Sequence, residues 1–216
     1  MTAWTQSLFT LAQARIDAGK YEAAIDLLER AWLEGESGEV LTAHGWALET
    51  LGRYSEARQT YERAIEHDPN DCWAQEGLAN ILWRLGDRER AARLYRSVVE
   101  RIAPLADPAA EELELRGWCQ HRLGRHEDAE TSFRRALELE PDRVTARFDL
   151  ALTLLHLSRP GEGLAEYMRA LRTSGERERP VAVAHDDLET AIRDRPSLRE
   201  YRETAAALAL LIPRSG

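Results

Sequence analysis

Residues 45–70 read GWALETLGRYSEARQTYERAIEHDPN, and this stretch decides the fold. Apolar residues recur at helical spacing on both sides of the pair Leu51-Gly52. The glycine is expected to end the first helix, because it readily takes the left-handed conformation found at helix ends. Three core residues follow the turn at spacings of four and three, on one stripe of a second helix: Ala57, Tyr61 and Ala64. Pro69 then stops this helix. The stretch therefore predicts a helix, a tight turn and a second helix.

The same turn signal recurs along the chain at steps of 33, 34, 38 and 34 residues. Its five copies are Ala18-Gly19, Leu51-Gly52, Leu85-Gly86, Leu123-Gly124 and Leu157-Ser158. A period near 34 residues is typical of stacked helical hairpins, each of which buries its apolar face against its neighbours. The sequence thus predicts five hairpins.

A second stretch, WCQHRLGRHEDAETSFRRALELEPD at 118–142, repeats the small, large and proline positions of the first. Together the two stretches resemble the tetratricopeptide repeat (TPR) family. The resemblance implies an all-α fold, a right-handed α-solenoid of five TPR helical hairpins in one domain over residues 1–177. The expected repeats are about 5–37, 38–71, 72–105, 110–143 and 144–177. Gln75 and Arg147 depart from the family pattern, which prefers a large apolar residue there, and His44 stands where it prefers Leu.

Two segments lie outside the repeat pattern. Residues 106–109 lengthen one connection, where Asp107 is expected to cap a helix that has Pro108 at its first position. Residues 178–216 have helical periodicity without the Leu-Gly signal. Because the last repeat of a solenoid exposes an apolar face, these residues are expected to form a C-terminal capping helix pair within the same domain.

Composition and charge narrow the function classes. The chain has 29 Lys and Arg residues and 38 Asp and Glu residues, which gives a net charge of -9. Because a protein needs positive charge to neutralise phosphate groups, neither nucleic acid nor membrane is expected as a partner. No apolar run reaches the roughly 18 residues of a membrane span, and residues 1–10 lack the pattern of a secretory leader. Cys72 and Cys119 are expected to be inert thiols. These features indicate a cytoplasmic protein.

No pattern predicts catalysis, a cofactor or a metal site. His121 and His126 straddle a turn and so do not share one helical face in the way zinc ligands on a helix do. The sequence Gly161-Glu162-Gly163 has no preceding strand that could make it a nucleotide-binding loop. No nucleophile and base pattern is recognisable. The chain is therefore not expected to be an enzyme.

The family resemblance implies that the first helix of each hairpin lines a concave groove where a partner binds. Projected onto this chain, the candidate peptide-binding residues are Trp46, Glu49, Trp73, Glu76, Asn80, Trp83, Arg84, Glu111, Glu114, Trp118, His121, Arg122 and Phe148. Four Trp residues are expected to be apolar anchors, because exposed Trp is enriched at binding hot spots. The alternative is that these rings pack within the molecule.

The charged and polar candidates predict the chemistry of the partner. Glu76, Glu111 and Glu114 are expected to select basic flanks, and Asn80 and Arg84 to bond the partner's backbone. The sequence therefore predicts a non-catalytic adaptor or scaffold that binds a peptide or helical segment in an aromatic, acidic-biased groove. Two alternatives stay open: a homo-oligomer built through the apolar segment 205–212, and a regulatory subunit or chaperone of an enzyme or secretion complex.

Overall fold

The structure, a computed structural model, describes residues 2–35 and 37–174, which form ten α-helices and no strand. The helices are α1 (Ala3–Asp17), α2 (Tyr21–Glu34), α3 (Gly38–Thr50), α4 (Tyr54–His67), α5 (Cys72–Arg84), α6 (Arg88–Ile102), α7 (Ala110–Arg122), α8 (His126–Leu139), α9 (Val144–His156) and α10 (Pro160–Ser174). They pair in chain order as five hairpins, which confirms the predicted all-α fold class. The predicted capping helices at 178–216 lie outside the described residues.

The helices belong to two compact units, residues 1–101 and 102–216. The first unit contains α1 to α6, with its boundary in the last turn of α6, and the second contains α7 to α10. Within the first unit, α3 packs on both α4 and α5. Within the second, α8 and α9 join the two hairpins. Among the described helices, none combines the length and apolar character needed to span a bilayer.

The hairpin turns require a left-handed residue. Gly52 has φ 74°, and the glycines at the equivalent positions of three other hairpins also have positive φ. In the Gly52 turn the N–H of Arg53 donates to the carbonyl of Leu48 at 2.9 Å, satisfying a carbonyl that the helix end leaves without a partner. Ser158 takes the same conformation in the fifth hairpin, with φ 59°.

Glycines in the first helices let large side chains of the second helices approach closely. The ring of Tyr61, on α4, lies against Gly45 on α3 and Gly77 on α5. A Cβ atom at Gly45 would lie 2.7 Å from this ring, and one at Gly77 would lie 2.2 Å from its Cζ atom. Gly117 and Phe133 repeat the arrangement in the second unit, at 2.8 Å. These contacts join one hairpin internally and also, through Tyr61, to the next.

The polar residues that depart from the family pattern make equivalent hydrogen bonds. Gln75 donates its amide to the carbonyl of Pro69 at 2.6 Å, and Arg147 donates to the carbonyl of Pro141, also at 2.6 Å. Each side chain therefore reaches back six residues to the loop before its own helix. Arg147 also pairs with the buried Glu166 at 3.0 Å.

The connection before α7 differs from the prediction. The N-cap of α7 is Ala109, whose backbone N–H donates to the Glu112 carboxylate at 2.8 Å. The expectation that Asp107 caps this helix, with Pro108 at its first position, is therefore wrong. Glu112 satisfies the amide from inside the first turn, where a carboxylate is also favoured by the helix dipole.

Candidate binding face of the first helices

In the first unit, the neighbouring first helices α3 and α5 each carry an exposed indole ring, as α1 does with Trp4. Trp46, on α3, is 41% exposed and Trp73, on α5, is 46% exposed. The two helices are tied together where the Thr42 hydroxyl donates to Asp71 at 2.6 Å, while the other oxygen of Asp71 caps α5. Tyr21 packs edge-on against Trp46 with 5.8 Å between ring centroids. Both helices therefore present a large aromatic ring to solvent.

Each of these Trp residues is followed three positions later by a glutamate: Trp46-Ala-Leu-Glu49 on α3 and Trp73-Ala-Gln-Glu76 on α5. Residues three apart on a helix are neighbours on one face. Each helix thus places an indole one turn before a carboxylate. We call these four residues, Trp46, Glu49, Trp73 and Glu76, the W-x-x-E face.

Tyr61 orients the first of these carboxylates from behind. Its hydroxyl donates to Glu49 Oε2 at 3.1 Å. Burial raises the pKa of Glu49, opposed by this hydrogen bond and by Arg84. The pKa of Tyr61 is raised well above its ordinary value by burial first, and then by the charges of Glu49, Glu76 and Asp71. The Tyr61 hydroxyl therefore bonds a carboxylate of α3, and the charge of a second carboxylate, on α5, also acts on it.

A chain of hydrogen bonds orients the second carboxylate. Tyr95, on α6, donates its hydroxyl to Asn80 Oδ1 at 2.7 Å, and Asn80 Nδ2 donates to Glu76 Oε1 at 2.6 Å. The sequence predicted that Asn80 bonds a partner's backbone. In the structure its amide links Tyr95 to Glu76 and so orients the Glu76 carboxylate, and its bond to a partner stays a prediction.

Trp83 and Arg84 lie at the end of α5, and arginine side chains contact aromatic rings here. Trp83 is half-buried, with the guanidinium of Arg88 4.2 Å from its ring centroid and Tyr95 at 6.5 Å. The guanidinium of Arg84 lies 5.5 Å from the ring centroid of Tyr54. Trp83 thus offers a partner less of its ring than Trp46 or Trp73 does.

In the second unit, the predicted acidic residues meet a cation. Arg143, in the loop before α9, pairs with Glu111 at 3.4 Å, with Glu140 at 2.7 Å and also with Glu114. Burial alone would lower the pKa of Arg143, but its hydrogen bonds to Glu114 and Glu140 raise it. One guanidinium of the protein therefore pairs with three carboxylates and offsets only part of the negative charge that was predicted to select basic flanks at Glu111 and Glu114.

Two other predicted groove residues of the second unit are buried. Phe148 packs into the interior with its ring centroid 5.6 Å from that of Tyr167. His121 is buried, bonds the Thr153 hydroxyl through Nδ1 at 2.9 Å and stacks on Trp118. Both side chains therefore pack between α7, α9 and α10, and their contact with a ligand stays a prediction.

Trp118 stays half-buried between the interior and the surface. It stacks on His121 with 5.6 Å between centroids and 2° between planes, and the guanidinium of Arg122 lies 5.6 Å from its ring. Trp118 occupies the same repeat position as Trp46, directly after the glycine that packs on the second helix, but His121 follows it where Glu49 follows Trp46. The second unit therefore lacks the W-x-x-E pattern on α7.

Three histidines that are separated in sequence come together at one end of the second unit. The ring centroids of His121, His126 and His156 lie 4.8 to 5.0 Å from one another. Sequence spacing alone indicates independent surface or groove residues. In the part of the chain that the structure describes, no group of three His, Cys, Asp or Glu side chains is arranged to hold a metal ion.

Comparison with known families agrees with the hairpin geometry. A tetratricopeptide repeat family model matches residues 9–71, 42–107, 76–139 and 120–180, which together cover most of the chain. The chain belongs to the tetratricopeptide repeat family. Its tyrosine and glycine contacts, such as Tyr61 against Gly45 and Gly77, are thus the packing of TPR hairpins.

Curated TPR relatives are much longer than this chain. Human tetratricopeptide repeat protein 7A is 30% identical over 129 residues, which cover 60% of this chain and 15% of that protein. Cellulose synthase operon protein C of Pseudomonas fluorescens is 26% identical over 140 residues, covering 62% and 11%. This chain therefore spans a small part of the length of these relatives.

Solved TPR structures are similar over most of this chain. TTC0263, a thermophilic TPR protein of Thermus thermophilus, has a TM-score of 0.67 and 26% identity over 85% of this chain and 98% of its own. A chain of the APC/C hetero-tetramer Cut9-Hcn1 has a TM-score of 0.63 and 17% identity over 87% of this chain and 36% of that one. The second likeness concerns the fold alone.

The list of candidate binding residues, which was taken from TPR repeat positions, omits the side chains that bond the polar groups of the first helices. Tyr61 and Tyr95 belong to the core by their repeat position, yet their hydroxyls reach polar groups of the first helices. The fourth hairpin has Phe133 at the repeat position of Tyr61 and Tyr95. The hydroxyl group that the two tyrosines add at this core position is the sequence signal that could have indicated these hydrogen bonds. Arg143 lies in a loop, outside the helices that the projection considers.

Proposed function

We propose that this TPR protein is a non-catalytic adaptor that binds a segment of a partner protein across α3 and α5. The observation that carries the proposal is the exposure of Trp46 and Trp73 on adjacent first helices. Large apolar side chains left in water are unfavourable, and Trp is the residue type most enriched at binding hot spots. A bound segment with apolar anchors would cover both rings and place its basic flanks beside Glu49 and Glu76.

The charges support a cationic rather than an acidic partner segment at this face. Glu49 accepts a hydrogen bond from Tyr61, the charge of Glu76 also acts on that hydroxyl, and Arg84 is a cation that acts on Glu49. Complementary charge steers association and selects partners more than it adds affinity. We place this activity in the cytoplasm, where Cys72 and Cys119 would remain thiols, as they are in the structure.

Affinity purification from the native host tests the proposal. The bait is the full chain, compared with a Trp46→Ala/Trp73→Ala variant and with Leu33→Ala as the matched control, because Leu33 is 83% exposed on the second helix α2. Proteins recovered with the parent and with Leu33→Ala should be lost with the double variant, whose circular dichroism should match the parent. Removing the two rings should make the binding free energy of a purified partner less favourable by about 2 kcal/mol or more, the usual scale for hot-spot residues. If the double variant recovers the same proteins in the same amounts as the parent, the exposed face of α3 and α5 does not bind the partner.

Self-association through residues 205–212 is the alternative from the sequence. Those residues lie outside the described part of the chain.

A further inference from the structure

Two positions on the side of α9 that was predicted to line the groove are buried, although the other four first helices leave the same positions partly exposed. Phe148 and Leu152 are each 6% exposed. The equivalent residues are half-buried, or exposed in the case of Trp46. They are Phe9, Thr42, Glu76 and Glu114 at the position of Phe148, and Gln13, Trp46, Asn80 and Trp118 at the position of Leu152. We call this the inward side of α9.

The helices packed on α9 do not account for the difference. α3 packs on its own second helix α4, on the preceding second helix α2 and on the neighbouring first helix α5, and α9 packs in the same way on α10, α8 and α7. Tyr167 contacts Phe148, but Tyr61 occupies the same repeat position beside α3. Equivalent neighbours thus leave Trp46 41% exposed and Leu152 6% exposed. The burial of α9 requires a cover that these three helices do not provide.

The chemistry of the inward side of α9 indicates what kind of segment covers it. All three residues there are apolar, whereas α3 has two polar residues and a tryptophan at the equivalent positions. The two sets are Phe148, Leu152 and Leu155 on α9, and Thr42, Trp46 and Glu49 on α3. Contact between apolar surfaces removes both from water, which is favourable. A charged segment would instead lose its hydration here without gaining a partner. The cover that fits is therefore apolar.

The chain contains such a segment after α10. Residues 205–212, outside the described part of the chain, read AAALALLI and are all apolar. A segment that is apolar all round needs to be buried on more than one side. The second compact unit extends to residue 216 and so includes it. Residues 175–204 precede it, and this length of chain can easily span α9, which is about 20 Å long.

We infer that residues 205–212 cover the inward side of α9 in the same molecule, in contact with Phe148, Leu152 and Leu155. The second unit then carries a ligand supplied by its own chain. A partner segment reaches this side of α9 only after displacing it. The inference goes beyond the proposed function and is independent of it, because that proposal concerns α3 and α5.

Photo-cross-linking in the full chain tests the contact. The photoreactive residue p-benzoylphenylalanine replaces Leu208, and the irradiated protein is digested with trypsin and analysed by mass spectrometry. Cross-links should join the probe to the tryptic peptide 148–159, which contains the three apolar residues of α9. The matched control places the probe at Leu33, which is 83% exposed on α2, and should not label this peptide. If the probe at Leu208 does not label peptide 148–159, the inference is overturned.

Mixed labelling separates a contact within one molecule from a contact between two copies. Light chains and isotopically heavy chains are mixed in equal amounts before irradiation. The cross-linked pairs should join light to light and heavy to heavy segments. Pairs that join light to heavy segments in the share expected for random association would assign the cover to a second copy, and this would overturn the inference.

Displacement of the segment gives a binding readout. Leu208→Asp/Leu211→Asp places two charges in an apolar contact, which is unfavourable and should release residues 205–212 from α9. A fluorescent peptide with the parent sequence of residues 197–216 should bind this variant at least about tenfold more tightly than it binds the parent, whose own segment competes at high effective concentration. The matched control, Leu33→Asp, should bind the peptide as weakly as the parent does. Equal affinity of the peptide for the double variant and the parent would contradict the inference.

Discussion

The hydroxyl of Tyr61 on α4 donates a hydrogen bond to Glu49 on α3 at 3.1 Å, so a core residue of one helix orients a partly buried carboxylate of another. The contact depends on glycines, because the ring reaches the first helices only where Gly45 and Gly77 carry no side chain. Packing and the candidate site are therefore coupled through one side chain. A change in this packing should alter both stability and binding.

Gly77→Ala should destabilise the first unit. A Cβ atom here would lie 2.2 Å from Tyr61 Cζ, so the ring has to move, and overpacking of this kind costs about 1–3 kcal/mol. Urea unfolding followed by circular dichroism measures the loss. Gly161→Ala, in α10, is the control: its Cβ meets nothing within 4 Å, so helix propensity alone should make that variant slightly more stable. Equal effects of the two substitutions would contradict the packing account.

The fold could be predicted from sequence because its signals are local. A glycine turn and the spacing of small and large residues specify each hairpin within about 34 residues, and the structure confirms them from α1 to α10. The exposure and the charge of the candidate binding face are harder to predict from sequence, because side chains from several helices and loops determine them. Trp46 and Trp73 follow from their helical positions, but the ion pair of Glu114 is made by Arg143, 29 residues away in a loop.

Burial was the other property that sequence could not supply. Phe148 and Trp46 both project onto first-helix faces, yet Phe148 is 6% exposed and Trp46 is 41% exposed. Tyr167 of α10 packs against Phe148, and its partnership with that ring follows from three-dimensional packing rather than from repeat position. The binding roles of the projected residues stay predictions.

Arg143→Gln should cost more stability than removal of an ordinary surface arginine. Its guanidinium pairs with Glu111, Glu114 and Glu140, and its side chain is only 20% exposed. We expect a loss of about 1–2 kcal/mol in the free energy of unfolding, because charged hydrogen bonds that are partly buried contribute on this scale.

The matched control for Arg143 is Arg53→Gln. Arg53 pairs with Glu56 on the surface, where solvent and salt screen the two charges, and such exposed pairs add little to stability. Both variants are compared by urea unfolding at low and high salt. If the two losses are equal, the three glutamates do not form a stabilising network around Arg143.

Glu49→Gln should raise the melting temperature more at pH 7.5 than at pH 4. Burial raises the pKa of Glu49, and a group with a raised pKa in the folded state contributes stability at low pH that is lost as the pH rises through that pKa. Gln removes the charge and can still accept the hydrogen bond from Tyr61. A variant that is less stable than the parent by the same amount at both pH values would show that the buried charge carries no cost.

Acidification should destabilise the first unit through His44. Burial lowers the pKa of His44, and the charge of Glu29, 3.9 Å away, opposes this shift only in part. The unfolded chain therefore binds a proton at His44 more readily than the folded protein does, and the stability that His44 contributes above its ordinary pKa of 6.5 is lost as the pH falls through its folded pKa. His44→Leu, which places an apolar residue at this partly buried position, should be more stable than the parent, and the difference should widen between pH 7.5 and pH 5. Urea unfolding of both proteins at the two pH values measures the difference in their free energies of unfolding. If this difference is the same at both pH values, groups other than His44 cause the acid sensitivity.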